Sequence, residues 1–202
     1  MSERYTQALS LATEAHEGQF RKGTSIPYIT HPLAVAELVA KYGGDEDQQI
    51  AGLFHDILED GGPKWGPQVA AFGPRVLAIV KACTDGLLDE HGQNAPWKQR
   101  KMAYLEYLGE ETDDALLVSA CDKLHNLESI LSDLTEIGIE VFDRFNAEQS
   151  QVLWYYRSLV ELFEEREVVP AEALRKTYSR VVELSEKQAA VMQPQSMHHH
   201  SL

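Results

Sequence analysis

The chain has 202 residues, 44% apolar and 25% charged, the composition of an ordinary globular protein with room for one large or two small domains. Its 18 basic and 32 acidic residues give a formal net charge of −14, which argues against non-specific binding to DNA, RNA or an anionic membrane. No apolar run approaches a membrane span, and Met1-Ser2-Glu3-Arg4-Tyr5 carries no apolar signal core. The two cysteines, Cys83 and Cys121, stand far apart. A cytoplasmic protein with no membrane partner is expected.

Tyr5, Ala8, Leu9, Ala12 and Ala15 recur at helical spacing behind Ser2, a good N-cap, so a first helix is predicted from about Ser2 to His16. Residues 19–30 have no period and contain Gly23 and Pro27. They read as a loop, made basic by Arg21 and Lys22. His31-Pro32 opens a second helix, with Leu33, Ala36, Val39 and Ala40 on its apolar side and Gly43-Gly44 at its end. Asp45 and Gln48 form a capping box. The helix they start is expected to run unbroken through His55 and Asp56 to Asp60, where Gly61-Gly62-Pro63 stops it. A short helix near Pro67–Ala71, a longer one after Gly73-Pro74 and a polar loop over 84–95 follow.

Pro96 begins a helix to about Leu108 that carries Lys98, Arg100 and Lys101. Thr112 caps the next, about Asp113–Leu134, whose dense leucines make it the central element. Asn146 with Gln149 reads as another capping box, and Pro170 opens the last helix. No stretch has the two-residue period of a strand. The fold class expected is therefore all-α: one bundle of about nine or ten helices over residues 1–189. Residues 190–202, including His198-His199-His200, are expected to be a disordered tail.

Chemistry concentrates around Gly52–Asp60. On one helix His55 and Glu59 share a face, as do Asp56 and Asp60, all beside apolar Leu53, Phe54, Ile57 and Leu58. Asp122 lies inside the apolar run of the central helix, with His125 and Asn126 one turn on, and a carboxylate there needs a partner. His31, His55, Asp56 and Asp122 make a mixed imidazole–carboxylate set. It suits Mn²⁺, Fe²⁺ or Zn²⁺ better than Ca²⁺, and the lack of thiolates argues against structural zinc. Four protein ligands would leave positions for a water and a substrate oxygen, and Glu59 and Asp60 are placed to orient the water or take its proton. The competing reading of Glu59 and Asp60 is a solvated helix end.

Tyr28-Ile29-x-His31-Pro32, His55-Asp56-x-x-Glu59-Asp60 and Asp122-Lys123-Leu124-x-Asn126-Leu127, in that order and preceded by Gln19-x-Arg21-Lys22-Gly23, resemble the HD-domain metal phosphohydrolases. The resemblance is strongest to the hydrolase domain of RelA/SpoT homologues and to small alarmone hydrolases, and it covers about residues 5–165. It implies an all-helical enzyme that uses one Mn²⁺ to remove the 3′-pyrophosphate from (p)ppGpp in the stringent response. By motif position it implies His31, His55, Asp56 and Asp122 as metal ligands and Glu59 and Asp60 at the nucleophilic water. It puts Arg21 against the base, with Lys22 also binding substrate, Asn126 near the ribose or base, and Lys98, Arg100 and Lys101 at phosphates. The length leaves no room for a synthetase domain, so hydrolase activity alone is implied. The chain departs from the family where a Gly-Trp, an Arg and a Tyr-Phe pair are usual; here the stretch is Gln151-Val152-Leu153-Trp154-Tyr155-Tyr156-Arg157. Two other readings stay open: an HD phosphohydrolase acting on adenosine 3′-pyrophosphates or the NADPH 2′-phosphate, and a nucleotide-binding protein without turnover.

Overall fold

The structure, a computed structural model, describes residues 2–84 and 95–192. The expected tail segment 193–202 with its three histidines, and nearly all of the expected polar loop, lie outside the described residues. The architecture is all-helical: α1 (Glu3–Ala15), α2 (Thr30–Lys41), α3 (Glu46–Phe54), α4 (Ile57–Asp60), α5 (Gly66–Ala70), α6 (Pro74–Cys83), α7 (Trp97–Gly109), α8 (Asp113–Ile137), α9 (Gln149–Glu165) and α10 (Ala171–Met192). Short 3-10 turns span Pro63–Trp65 and Gly138–Arg144. Among the described residues the sole β-pairing is an isolated bridge between Phe20 and Pro27 that pins the basic loop closed. Helix α10 runs a little past the boundary expected at residue 189.

Local chemistry sets several of the helix starts. The Ser2 hydroxyl accepts from Tyr5 N and the Thr112 hydroxyl from Ala115 N. Asp45 and Gln48 close a reciprocal capping box, the Asp45 carboxylate accepting from Gln48 N and the Gln48 amide oxygen from Asp45 N. One expected cap is corrected. Helix α9 is boxed by Glu148 and Gln151, not by Asn146 and Gln149. The Asn146 amide oxygen instead accepts from Lys22 Nζ at 3.4 Å, across to the basic loop.

Two apolar clusters share α8. Its Leu117, Val118 and Cys121 pack with α1, α2, α3 and α6. Its Leu116, Ala120, Leu124, Leu127 and Leu134 pack with α7, α9 and α10. Every residue from Ala115 to Asp122 is buried, which is what a helix apolar all round requires.

The expected unbroken helix through Gly52–Asp60 is also corrected. It breaks after Phe54, and His55 and Asp56 form the turn between α3 and α4. The Gly52 carbonyl, which a continuous helix would give to the Asp56 N–H, accepts from His55 Nδ1 at 2.8 Å. A side chain thus takes the place of a rung in the ladder. Gly52 has a second role. A Cβ there would lie 3.2 Å from Ala36 Cα and 3.3 Å from Ala36 N, so the missing side chain lets α2 and α3 touch backbone to backbone. Gly52→Ala should gain about 1 kcal/mol of helix propensity and lose about 1–3 kcal/mol to overpacking against a backbone that cannot rotate away. The expected net result is a lower urea midpoint together with weaker divalent-metal binding, because His31 rides on α2 and His55 on the end of α3. An unchanged midpoint and affinity would show that α2 can yield.

Candidate active site

The start of α2, the turn after α3 and the middle of α8 meet at one point. His31 comes from the first turn of α2, His55 and Asp56 from the α3–α4 turn, and Asp122 from the middle of α8. His31 Nε2 lies 3.1 Å from His55 Nε2 and 3.1 Å from Asp122 Oδ1. Donor atoms of His31, His55 and Asp122 all fall within 4.8 Å of one another, and all three residues are buried. Asp56 Oδ2 adds a fourth donor, 2.8 Å from His55 Nε2 and 3.6 Å from His31 Nε2.

The tautomers follow from the outer partners. A carbonyl can only accept, so His55 Nδ1 carries its hydrogen toward Gly52 and Nε2 is the nitrogen that faces the cluster, bare once its proton is lost. His31 Nδ1 sits 2.7 Å from His125 Nδ1. With Nε2 turned inward, His31 donates there, and His125 stays neutral to accept: burial and the neighbouring His31 and Arg21 push its pKa down to about 4. Two imidazole lone pairs and two carboxylate oxygens thus point at one another, an arrangement that needs a cation or a proton between them. Neighbouring donors about 3 Å apart match adjacent ligands around a divalent ion bound at about 2.1 Å. The buried group fits a divalent metal.

The electrostatics agree. Burial acts to raise Asp122, but Lys123 and His55 hold it well below the usual carboxylate range. Lys123 Nζ donates to Asp122 Oδ2 at 2.6 Å, and that carboxylate outweighs burial and lifts the ammonium well above its ordinary value. Burial acts to raise Asp56 too, and His55 holds it down. Burial lowers His31. At His55 burial also acts downward, but the Asp56 and Asp122 carboxylates overcome it and raise the imidazole well above its ordinary value.

Around this centre lies a cleft of about 590 Å³. Glu59 and Asp60 stand on its exposed rim, on α4, one turn beyond the ligand turn. Partial burial and the Asp56 charge raise the Asp60 carboxyl. Of the sequence-predicted binding residues, Arg21, Lys22, Lys101 and Asn126 line the cleft. Arg21 Nη2 donates to Asn126 Oδ1 at 2.9 Å, and Asn126 Nδ2 donates to Asp122 Oδ1 at 2.6 Å, so the basic loop is tied to the centre by two hydrogen bonds. Lys98 and Arg100 share α7 with Lys101 but do not line the cleft; Lys98 lies over the Trp154 ring.

Sequence reasoning passed over three contributors. The Tyr28 hydroxyl donates to Asp56 Oδ2 at 2.5 Å. His125 orients His31, and Lys123 neutralises Asp122. Tyr28 and Lys123 stood inside the quoted motifs, and His125 sits one residue before Asn126. Their spacing was visible, but a hydrogen bond to a ligand's far atom leaves no periodic signal.

A family model for the HD domain matches residues 8–149. The chain belongs to the HD-domain family. Within that HD-domain family it is 34% identical over 127 residues to a Xenopus tropicalis protein named guanosine-3′,5′-bis(diphosphate) 3′-pyrophosphohydrolase MESH1, covering 61% of this chain and 68% of that one. It is 30% identical over 134 residues to the Escherichia coli bifunctional (p)ppGpp synthase/hydrolase SpoT, covering 63% of this chain. The match spans only 18% of that longer protein, and likewise 18% of a Borreliella burgdorferi pyrophosphohydrolase. In fold it is similar to a metazoan SpoT orthologue, with a TM-score of 0.67 at 23% identity over 93% of this chain and 96% of the other. No helix among the described residues of this HD-domain chain is long and apolar enough to cross a membrane.

Because the two carboxylates favour a proton on His55, metal must displace it. Lower pH populates that proton, so metal affinity should fall as pH falls and rise as pH rises. Titration calorimetry near pH 7 in buffers of different ionisation enthalpy should show about one proton released per metal bound. Asp122→Ala should abolish tight binding, and with it the metal-linked rise in melting temperature expected of the parent protein. Proton-neutral binding would mean that His55 is already unprotonated.

Proposed function

We propose that the protein is a Mn²⁺-dependent phosphohydrolase that removes the 3′-pyrophosphate from a (p)ppGpp-type nucleotide, leaving GDP or GTP. The observation that carries this is the convergence of His31, His55, Asp56 and Asp122 beside Glu59 and Asp60, in a cleft whose remaining wall presents Arg21, Lys22 and Lys101. The relatives' names point the same way.

His31, His55, Asp56 and Asp122 would hold the metal, which when bound lowers the pKa of a water and polarises a phosphoryl oxygen. The chain supplies the rest. Glu59, exposed on α4, takes the proton of the attacking water. Asp60, its carboxyl raised by burial and by the Asp56 charge, orients that water and is positioned by Gln19, whose amide donates to the Asp60 backbone carbonyl at 3.2 Å. Arg21 is held with its guanidinium carbon 5.9 Å from the Tyr28 ring centre, a plane on which a purine can stack. Lys101 draws in phosphate oxygens. In a protein of net charge −14, these short-range cations and the metal must together overcome a field that repels polyanions.

The deciding experiment incubates the Mn²⁺-loaded protein with ppGpp, pppGpp, pppApp and NADPH and identifies the products. GDP with pyrophosphate from ppGpp supports the proposal, whereas phosphate release from NADPH alone would replace it with a 2′-phosphatase. Nucleotide binding without any product would leave a binding protein. Glu59→Gln should keep metal and substrate binding and lower kcat by about 10²-fold or more; an unchanged kcat returns Glu59 to a solvated helix end. Arg21→Lys keeps the charge and loses the stacking plane, so KM should rise by about tenfold for a lost stacking interaction of ~1–2 kcal/mol. No change in KM for guanine and adenine substrates alike would remove the stacking role.

A further inference from the structure

The cleft continues well beyond the metal centre, and its floor is one face of α8. Asp122, Asn126, Ser129 and Asp133 all line it. Their spacings of four, three and four residues put them in a single stripe along the helix. At 1.5 Å per residue the stripe runs about 16 Å from Asp122 to Asp133. The ligand groups occupy one end. At the other end stands Arg144, the last residue of the 3-10 turn Gly138–Arg144, and it too lines the cleft.

Arg144 is held there from two sides. Its Nη1 donates to Asp133 Oδ2 at 2.5 Å, which uses one of the five guanidinium hydrogens. Its side chain lies over Gly23, so closely that a Cβ on Gly23 would come within 2.9 Å of Arg144 Cδ and Nε. Gly23, at φ +74°, is the position in the basic loop where the chain turns, and a side chain there would be strained and would displace Arg144. Lys22, next to it, reaches Asn146 on the far side of the same segment. Two irregular stretches, the basic loop and residues 138–146, therefore meet at this end, and each brings a cation. By contrast Arg157, which follows the two cleft tyrosines, points away and pairs with Glu161 at the surface.

We propose that Arg144, seconded by Lys22, is the specificity residue for the anionic group at the end of the substrate away from the scissile bond. On the reading given above, on which this proposal rests, that group is the 5′-di- or triphosphate. A nucleotide cut at its 3′ end next to the metal places its 5′ phosphates further along the stripe, where Arg144 offers a planar fork of donors that suits a phosphate. Asp133 keeps the guanidinium in place and does not consume its other donors. Arg21, nearer the centre and bonded to Asn126, is left to the base.

The test compares ppGpp with guanosine 3′-pyrophosphate bearing a free 5′-hydroxyl, in the Mn²⁺-loaded parent protein, Arg144→Gln and Arg144→Lys. The parent should prefer the 5′-diphosphate substrate. In Arg144→Gln the ratio of kcat/KM between the two substrates should fall at least tenfold, chiefly through KM, and Arg144→Lys should restore part of it. Binding of GDP against guanosine, measured by calorimetry with no turnover involved, should show the same selective loss. An unchanged ratio, or equal losses on both substrates, overturns the role of Arg144. If the parent cleaves neither substrate, the parent reading fails instead, and the GDP-to-guanosine binding ratio then decides Arg144 alone. A variant that does not fold is recognised by circular dichroism, and the Arg144→Lys ratio then carries the decision.

Discussion

The bond from His55 Nδ1 to the Gly52 carbonyl is a small interaction on which much of this molecule turns. It removes a rung from the α3 ladder and accompanies the end of that helix at Phe54, which leaves His55 and Asp56 in the turn between α3 and α4. It also fixes which imidazole nitrogen is bare. Because Gly52 has no side chain, the same residue lets α2 come close enough for His31 to face His55 across 3.1 Å. Tautomer, register and approach distance are thus set within four residues, in the buried interior where a misplaced charge is most costly.

Helix α8 supplies the rest of the frame. It is buried on nearly every side along its first half and exposes a polar stripe along the cleft, so one rigid element carries both the carboxylate of the buried imidazole–carboxylate cluster and the carboxylate that holds Arg144. The irregular segments around it contribute Arg21, Lys22 and Arg144. A site built this way separates its parts: the buried cluster rests on packed helices and the turn between two of them, while Arg21, Lys22 and Arg144 rest on segments whose length and sequence can change without disturbing the core.

Much of this was legible in the chain itself. The leucines of α8, the Asp45–Gln48 box and the Ser2 and Thr112 caps are local signals, and each is found as read. Asp122 announced itself as a carboxylate in an apolar run. The break at His55 was hidden because His55 and Asp56 keep helix-like backbone angles, and the competing acceptor is a tertiary arrangement of the imidazole. The false box at Asn146 had the right spacing, but Lys22, distant in sequence, claims that side chain. Arg144 carried no signal, since its meaning depends on Gly23 lying beneath it.

The saturation of the carboxylates has a consequence for which ions this pocket can keep. Asp122 Oδ2 is taken by Lys123 and Oδ1 already accepts from Asn126, and Asp56 Oδ2 accepts from Tyr28. Asp122 therefore has one oxygen to offer, and that oxygen is shared. Calcium favours six to eight oxygens and often a bidentate carboxylate, with no particular liking for imidazole. It would have to break the Lys123 pair to be satisfied by Asp122, stranding a buried ammonium. A smaller ion content with two nitrogens and single oxygens breaks nothing. With a metal bound there, denticity, enforced by a lysine that would not touch the ion, would act as the filter.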